Sequence, residues 1–202
     1  GELDTDLDGV VTFDEWRRCF YASSLVMSPL VPGEDFADLY DPADATRAGL
    51  TIEETAERPI GVVQLKRVVQ HIKRRCKAEV WTTFVGNQLS PGSVTLYEAA
   101  RYVIKPATYD KQSSFVERVS TVKRLPDYFV SHWWGEPVSD FVKCITVHEI
   151  DHRVHEYDEQ GQQITFDQDV FNVEPAVPAY YWVCAYANNQ WSLDDEIAGS
   201  LE

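Results

Sequence analysis

Oxygen-bearing residues recur at a fixed spacing near the start of the chain. A hard cation such as Ca²⁺ takes roughly six to eight oxygen ligands, and a twelve-residue loop supplies them from its first, third, fifth, seventh, ninth and twelfth positions. Residues 4–15 place a suitable oxygen at every one of these positions. The sequence therefore predicts a Ca²⁺ site formed by Asp4, Asp6, Asp8, the Val10 carbonyl, Thr12 through a water, and Glu15.

The residues around this set fit a helix–loop–helix calcium site. The loop must turn sharply at its sixth position, where a positive φ favours glycine, and Gly9 lies there. Residues 16–25 carry apolar and basic side chains at helical spacing, which predicts the helix that leaves the loop. Residues 4–25 therefore resemble the EF-hand superfamily, and the resemblance implies calcium binding. Because so few residues precede the loop, we expect the entering helix to belong to a longer chain.

A second loop is expected nearby, because EF-hands normally fold in pairs. Residues 41–54 begin with an aspartate and end with two glutamates, but they are too long and lack donors at required positions. One interpretation is a degenerate hand whose Ile52 pairs with Val11 and which binds calcium poorly or not at all. The other is an ordinary loop followed by a helix with a capping box of Thr51 and Glu54. The sequence leaves both open.

Charge divides the chain into three parts, which we take as domains. Residues 1–58 hold 14 acids and 4 bases, residues 59–124 hold 4 acids and 12 bases, and residues 125–202 hold 15 acids and 2 bases. We interpret these parts as an EF-hand unit, a basic helical connector and an α/β module truncated at its end. Nucleic acid is disfavoured as a partner, because both acidic parts would repel phosphate.

The connector is expected to contain a long amphipathic helix at residues 62–80. Apolar residues recur there at helical spacing, and the polar face carries Lys66, Arg67, Lys73, Arg74, Arg75 and Lys77. Calcium-sensor lobes bind helices of this kind, so one interpretation is an intramolecular contact between the EF-hand unit and this helix. The other is a helix that packs on a neighbouring domain and exposes its basic face to solvent.

Shorter signals follow in the second half of the connector. Thr95 and Glu98 form a capping box that predicts a short helix ending near Pro106. Residues 113–122 fit either a helix or an irregular stretch.

The last part of the chain alternates strands with helices. Residues 128–131 and 180–186 are expected to be buried strands, residues 138–152 a helix, and a further helix is expected from Leu193. The acidic residues 156–178 are predicted to be a long loop. This order predicts a parallel sheet, and together with the helical first half it gives an α+β fold class.

Polar and aromatic residues follow both predicted strands at their carboxyl ends, where open α/β sheets place ligand crevices. This candidate rim consists of His132, Trp133, Trp134, Glu136, Asn188, Asn189 and Gln190. It predicts either a ligand site or an aromatic surface through which the module self-associates. Another interpretation makes the tryptophans core residues and the amides helix caps.

Two blocks of sequence in this part carry a resemblance to known families. Residues 128–136, Y-F-V-S-H-W-W-G-E, and residues 181–191, Y-W-V-C-A-Y-A-N-N-Q-W, are similar to a large uncharacterised family abundant in dinoflagellate algae, as are residues 96–108. More distantly, both blocks resemble fungal heterokaryon-incompatibility and TIR-like α/β modules. That resemblance implies nucleotide binding or cleavage, or assembly with further copies, whereas the first implies no known reaction.

The run His148-Glu149-Ile150-Asp151-His152 matches H-E-x-x-H, in which two histidines on one helix face hold zinc and the glutamate acts as general base. Asp151 and Arg153 flank the second histidine with charge, and the acidic stretch beyond offers no clear third ligand, although His155 shares the helix face. We interpret the match as fortuitous and assign no catalytic residue.

The sequence thus predicts a calcium-binding regulatory or interaction protein with Ca²⁺ as its cofactor. The alternative is a calcium-regulated, TIR-like enzyme that binds or cleaves a nucleotide. The cysteines at positions 19, 76, 144 and 184 are isolated, so free thiols in a reducing, cytoplasmic compartment are expected. No apolar run is long enough for a membrane span.

Overall fold

The computed structural model of the chain describes residues 36–40, 49–154 and 178–192. Several predictions fall on other parts of the chain and lie outside the described residues. These are the calcium loop, the helix at 16–25, most of the loop at 41–54, nearly all of the segment 156–178, and the helix from Leu193.

The described residues form helices around a small sheet. In chain order the elements are β1 (Ile60–Gly61), α1 (Val62–Ala78), α2 (Leu96–Ala99, continued by a π-helical turn Ala100–Ile104 and by Lys105–Ala107), α3 (Phe115–Val119), β2 (Tyr128–Val130), α4 (Val138–Val154), β3 (Tyr180–Val183) and α5 (Cys184–Ala187). Short 3₁₀ turns occur at Ala37–Leu39 and Thr55–Glu57. The fold class is α+β, as the sequence predicts.

The sheet has the order β1-β3-β2, with β3 in the middle. β2 and β3 pair in parallel, with Tyr128 opposite Tyr181. This agrees with the prediction of parallel strands in the last part of the chain. β1 pairs antiparallel with β3 and places Ile60 opposite Tyr181 from the other side. The sheet is therefore mixed, and one of its strands comes from the predicted connector.

Two details of the predicted strands are wrong. β2 was expected to be buried, but Phe129 is 71% exposed, because it lies beside Trp182 on the less buried face of the sheet. The apolar run 180–186 was expected to be one strand, but it changes to helix at Cys184. A continuous apolar run fits a buried strand and a buried helix equally well, so its pattern does not locate the boundary.

The long helix of the connector is confirmed as α1. Its buried apolar side chains (Val62, Leu65, Val68, Ile72 and Cys76) form one stripe, and the helix begins where the Gln64 side chain accepts a hydrogen bond from the Gly61 amide at 3.0 Å. At its end the Trp81 amide donates to the Cys76 carbonyl at 3.2 Å, and Val80 adopts φ 54°. This is a left-handed helix end, a conformation that normally selects glycine.

A proline explains the irregular middle of α2. The predicted capping box is present, since the Thr95 amide donates to Glu98 at 2.9 Å. Pro106 has no N–H and its ring would crowd the carbonyl four residues earlier, so a regular α-helix is disfavoured at that point. The chain widens instead into a π-helical turn, in which the Lys105 amide reaches the Ala100 carbonyl. The helix then ends at Ala107, close to its predicted end.

The stretch 113–122, which the sequence left undecided, contains helix α3. Ser114 accepts a hydrogen bond from the Glu117 amide at 3.2 Å, and Glu117 accepts one from the Ser114 amide at 2.9 Å. Glu117 also accepts from the Ile52 amide at 2.9 Å. The expected helix capped by Thr51 and Glu54 is wrong, because only the short 3₁₀ turn Thr55–Glu57 follows Ile52. The expected pairing of Ile52 with Val11 is not supported either, because the Ile52 amide and carbonyl bond to the side chains of Glu117 and Arg58.

One hydrophobic core joins the predicted connector to the predicted module. It contains side chains from α1, α2, α3 and α4, with Tyr181 of β3 and Tyr186 of α5 among the most completely buried. Because β1 also belongs to the sheet, the described residues on either side of position 125 pack as one unit.

The strained end of α1 gives a test of the fold. Val80 is 55% exposed, so removing its side chain loses little burial. A β-branched residue at a left-handed position costs about 1–2 kcal/mol. We expect Val80→Gly to raise the free energy of unfolding by roughly 0.5–1 kcal/mol after glycine's own entropy cost is subtracted. The control is Val122→Gly, where the valine is similarly exposed and φ is not positive; it should destabilise. The free energies are measured by urea unfolding. If both variants lose the same free energy of unfolding, Val80 is not strained in a left-handed conformation.

Candidate functional site

The predicted calcium ligands at positions 4 to 15 lie outside the described residues, so their arrangement stays a prediction. The neighbouring segment 36–40 is described, and it belongs to the part of the chain assigned to the EF-hand unit. It lies against the basic helix α1. The contact between these two stretches is therefore the first candidate site.

Asp38 makes two hydrogen bonds to α1 from this segment. One of its carboxylate oxygens lies 2.7 Å from Nδ1 of His71, and the other accepts from Nε of Arg74 at 2.9 Å. His71 is completely buried, whereas Arg74 is exposed. We call this arrangement the Asp38 clamp. It satisfies a buried histidine nitrogen that would otherwise lack a partner on the apolar side of the helix.

Aromatic contacts extend the Asp38 clamp. Phe36 stacks on the His71 ring with centroids 5.3 Å apart, and the Arg75 guanidinium lies 5.3 Å from the Phe36 ring centroid. Arg75 is buried and forms an ion pair with Glu79 on the same helix. Leu39 is also buried. The segment is thus attached to α1 by apolar burial, a cation–π contact and charged hydrogen bonds together.

The protonation states follow from burial and from the hydrogen bonds. Burial lowers the pKa of His71, and this outweighs the opposing effect of the Asp38 carboxylate. Burial tends to raise the pKa of Asp38, but the hydrogen bonds from Arg74 and His71 and their charges lower it below its usual value. At neutral pH the histidine is therefore neutral, its Nδ1–H donates to Asp38, and the carboxylate is ionised.

The first half of the predicted rim lies around the end of β2. Trp134 donates from its indole nitrogen to the Cys184 sulfur at 3.3 Å and packs against Tyr97. The His132 ring packs on Phe141 at 4.6 Å, and burial lowers its pKa. Trp133 is 71% exposed. The Glu136 amide closes a turn onto the Trp133 carbonyl at 3.1 Å.

The second half of the predicted rim bonds to α5 and to the loop that follows α2. Asn189 donates to the Gln112 carbonyl at 2.7 Å and accepts from the Trp191 amide at 3.0 Å. Gln190 is buried and donates to the Ala185 carbonyl at 3.1 Å. The Asn188 amide donates to the Cys184 carbonyl at 3.1 Å, which ends α5. The Asn189 and Gln190 side chains thus bond to backbone groups nearby, whereas the helix that the amides were expected to cap lies outside the described residues. The exposed Trp133 is not a core residue.

Trp191 fixes the position of this second half. Its indole nitrogen donates to Thr108 at 3.0 Å, Tyr109 packs against its edge, and the Lys105 amine lies 5.5 Å from its ring centroid. Burial lowers the pKa of Lys105. The contact between Trp134 and Cys184 joins the ends of the two parallel strands, whereas Asn189 and Gln190 turn away to other partners. The predicted ligand crevice and the nucleotide-cleaving alternative stay predictions.

A cavity of about 170 Å³ lies beside the first turn of α1. Its lining includes Gln64, Arg67, Ser120, Arg124 and Tyr180. The Arg124 guanidinium stacks 4.0 Å from the Tyr180 ring centroid. Tyr180 begins β3, so this cavity lies at the opposite end of the strand from the predicted rim.

The H-E-x-x-H run lies on α4, where its two histidines are neighbours and its glutamate has a different partner. His148 Nδ1 lies 3.1 Å from the Tyr181 hydroxyl. Its pKa is lowered by burial and by His152, against an opposing effect of Asp151. Glu149 is buried, and its carboxylate accepts a hydrogen bond from the Ala179 amide at 3.3 Å. The glutamate therefore holds the chain at the start of β3 and is not directed at the space beside the histidines.

In comparisons with known proteins, no protein-family model, no curated protein and no solved structure matches the chain. The resemblances drawn from sequence blocks therefore stay predictions. Among the described residues, no helix is both long and apolar enough to cross a membrane. The cysteines at positions 76, 144 and 184 are free thiols, as expected.

The Asp38 clamp was not among the residues that sequence reasoning selected. A histidine on the apolar stripe of an otherwise basic helix was the available signal, since burying it requires a partner. Its partner lies 33 residues earlier, and no local pattern connects the two positions.

Acidification should destabilise the fold, because a buried His71 resists protonation. Because the folded pKa of His71 lies below its ordinary value of 6.5, the unfolded chain takes up a proton there before the folded chain does. The free energy of unfolding should therefore fall as the pH is lowered from 7 through 6.5, where the unfolded chain becomes protonated first. His71→Asn keeps an N–H donor near the Nδ1 position but does not titrate, so it should show a smaller fall. Equal pH dependence of wild type and variant in urea unfolding would contradict the assignment.

Proposed function

We propose that this chain is a calcium-responsive regulatory protein that binds Ca²⁺ through residues 4–15. The observation that carries the proposal is the loop sequence itself, in which every ligand position has an oxygen donor and the turn position has Gly9. Ca²⁺ would neutralise the carboxylates of Asp4, Asp6, Asp8 and Glu15, which are concentrated in the acidic first part of the chain.

The route from the loop to the rest of the chain runs through the segment that follows it. Residues 36–40 lie between the first and second predicted loops in the sequence and contact α1. Asp38, in the acidic first part of the chain, is hydrogen-bonded to His71 and Arg74 of the basic helix. A change in the position or charge of the EF-hand unit on calcium binding would alter the free energy of this contact. We therefore propose that α1 responds to calcium.

Calorimetric titration tests the calcium site directly. Wild-type protein should bind Ca²⁺, and the variant Asp4→Ala with Glu15→Gln should lose binding, because the first and last ligands of the loop are removed. Asp14→Asn is the matched control, since it removes one charge from the same loop at a position that supplies no ligand. Absence of binding at millimolar Ca²⁺, or equal binding by the double variant, would disprove the proposal.

Hydrogen exchange tests the coupling. The amides of residues 62–80 should change in protection when Ca²⁺ is added to wild type. Asp38→Ala should reduce that change while leaving calcium affinity at the loop largely intact, because Asp38 is not a predicted ligand. Asp140→Ala is the control, since Asp140 is an exposed acid that forms an ion pair with Lys143 on α4. If the protection of residues 62–80 in wild type does not change on adding Ca²⁺, α1 does not respond to calcium. That result would not bear on calcium binding, which the titration tests separately.

A further inference from the structure

Two histidines lie side by side on the surface of α4. His148 and His152 are one helical turn apart, and their ring centroids are 4.1 Å apart. His152 is exposed and His148 is half-buried, so solvent reaches the pair. Imidazole nitrogen is a preferred ligand of Zn²⁺, Cu²⁺ and Ni²⁺, and two histidines at positions i and i+4 direct their rings to the same face of a helix.

Residues of the sheet hold the pair in place. The Tyr181 hydroxyl lies 3.1 Å from Nδ1 of His148. The Tyr128 ring packs against both imidazoles, with centroids 4.7 Å from His148 and 5.1 Å from His152. When Nδ1–H of His148 donates to the Tyr181 oxygen, Nε2 carries the free lone pair. A hydrogen bond on the non-ligating nitrogen is the usual arrangement around a metal-binding histidine, because it fixes the tautomer and the ring orientation.

The glutamate between the histidines takes no part in the pair. Glu149 is buried and accepts from the Ala179 amide, so it is not placed as a general base for a metal-bound water. No group of three or more potential metal-ligating side chains occurs among the described residues, so the pair supplies two nitrogen ligands, with water completing the coordination. This arrangement differs from that of a zinc protease in both the ligand number and the glutamate.

We propose that His148 and His152 form a two-histidine chelate for a divalent transition metal such as Zn²⁺. Calcium does not compete there, because Ca²⁺ prefers oxygen ligands, and the predicted calcium loop contains no histidine. A metal bound to both rings would stiffen the last turns of α4 where they meet Tyr128 and Tyr181. The proposal depends on the described geometry alone and is independent of calcium binding by residues 4–15.

The test is a calorimetric titration with Zn²⁺ in saturating Ca²⁺, on protein that carries no affinity tag. One Zn²⁺ should bind, and His152→Ala and His148→Ala should each abolish or greatly weaken binding. Tyr181→Phe keeps the ring but removes the hydroxyl, and should weaken Zn²⁺ binding about tenfold. Asp140→Asn is the matched control, since Asp140 is an exposed acid on the same helix that pairs with Lys143 and lies two turns before the histidine pair. It should bind Zn²⁺ as wild type does.

Electron paramagnetic resonance with Cu²⁺ gives a second readout that depends on ligand type. Two imidazole nitrogens should couple to the copper in wild type and one in His152→Ala, whose exposed side chain can be removed without disturbing the core. Absence of Zn²⁺ binding at millimolar ion, binding unchanged in His152→Ala, or a copper spectrum without nitrogen coupling would each overturn the proposal.

Discussion

The fold depends on burial of one face of α1. The apolar side chains of that face are almost fully removed from solvent, and each contributes about 1.5–3 kcal/mol of hydrophobic stabilisation. α1 packs against α4 and against the segment 36–40. It also follows β1 without a loop, so the position of the helix determines where Ile60 joins the sheet beside Tyr181. The sheet and the segment 36–40 are therefore both positioned by their attachment to α1.

Buried polar groups on α1 restrict which segments can pack against its buried face. His71 and Arg75 lie on the buried side of α1, and a covering segment without an acceptor would leave His71 unsatisfied at a cost of about 1–3 kcal/mol. The segment that carries Asp38 and Phe36 supplies an acceptor for Nδ1 of His71 and an aromatic ring for the Arg75 guanidinium. The turn at 52–58 is placed by the same principle. Arg58 donates to the Ile52 carbonyl at 2.9 Å while Glu117 accepts from the Ile52 amide, so both backbone groups of one buried residue are satisfied by charged side chains.

The predictable parts of the fold are those whose signal is local. The helical period of residues 62–80 and the Thr95–Glu98 capping box gave α1 and the start of α2, because periodicity and capping depend on near neighbours. Ser114 and Glu117 form the same kind of box, so α3 also had a local signal. β1 is only two residues long and has no period to detect. The Asp38 clamp and the contact of Trp134 with Cys184 depend on pairings across the fold, which spacing along the chain does not encode.

His71 and the His148–His152 pair differ in their access to solvent. His71 is enclosed, its Nδ1–H is held by a carboxylate, and its ring stacks on Phe36, so a metal ion would have to lose its water before reaching the ring. His148 has a similar hydrogen-bonded Nδ1, but the partner is the neutral hydroxyl of Tyr181, and the neighbouring ring is an exposed histidine. The first arrangement therefore suits a buried structural contact that responds to protons. The second leaves lone pairs beside solvent, where a metal ion can exchange two of its waters for imidazole nitrogens.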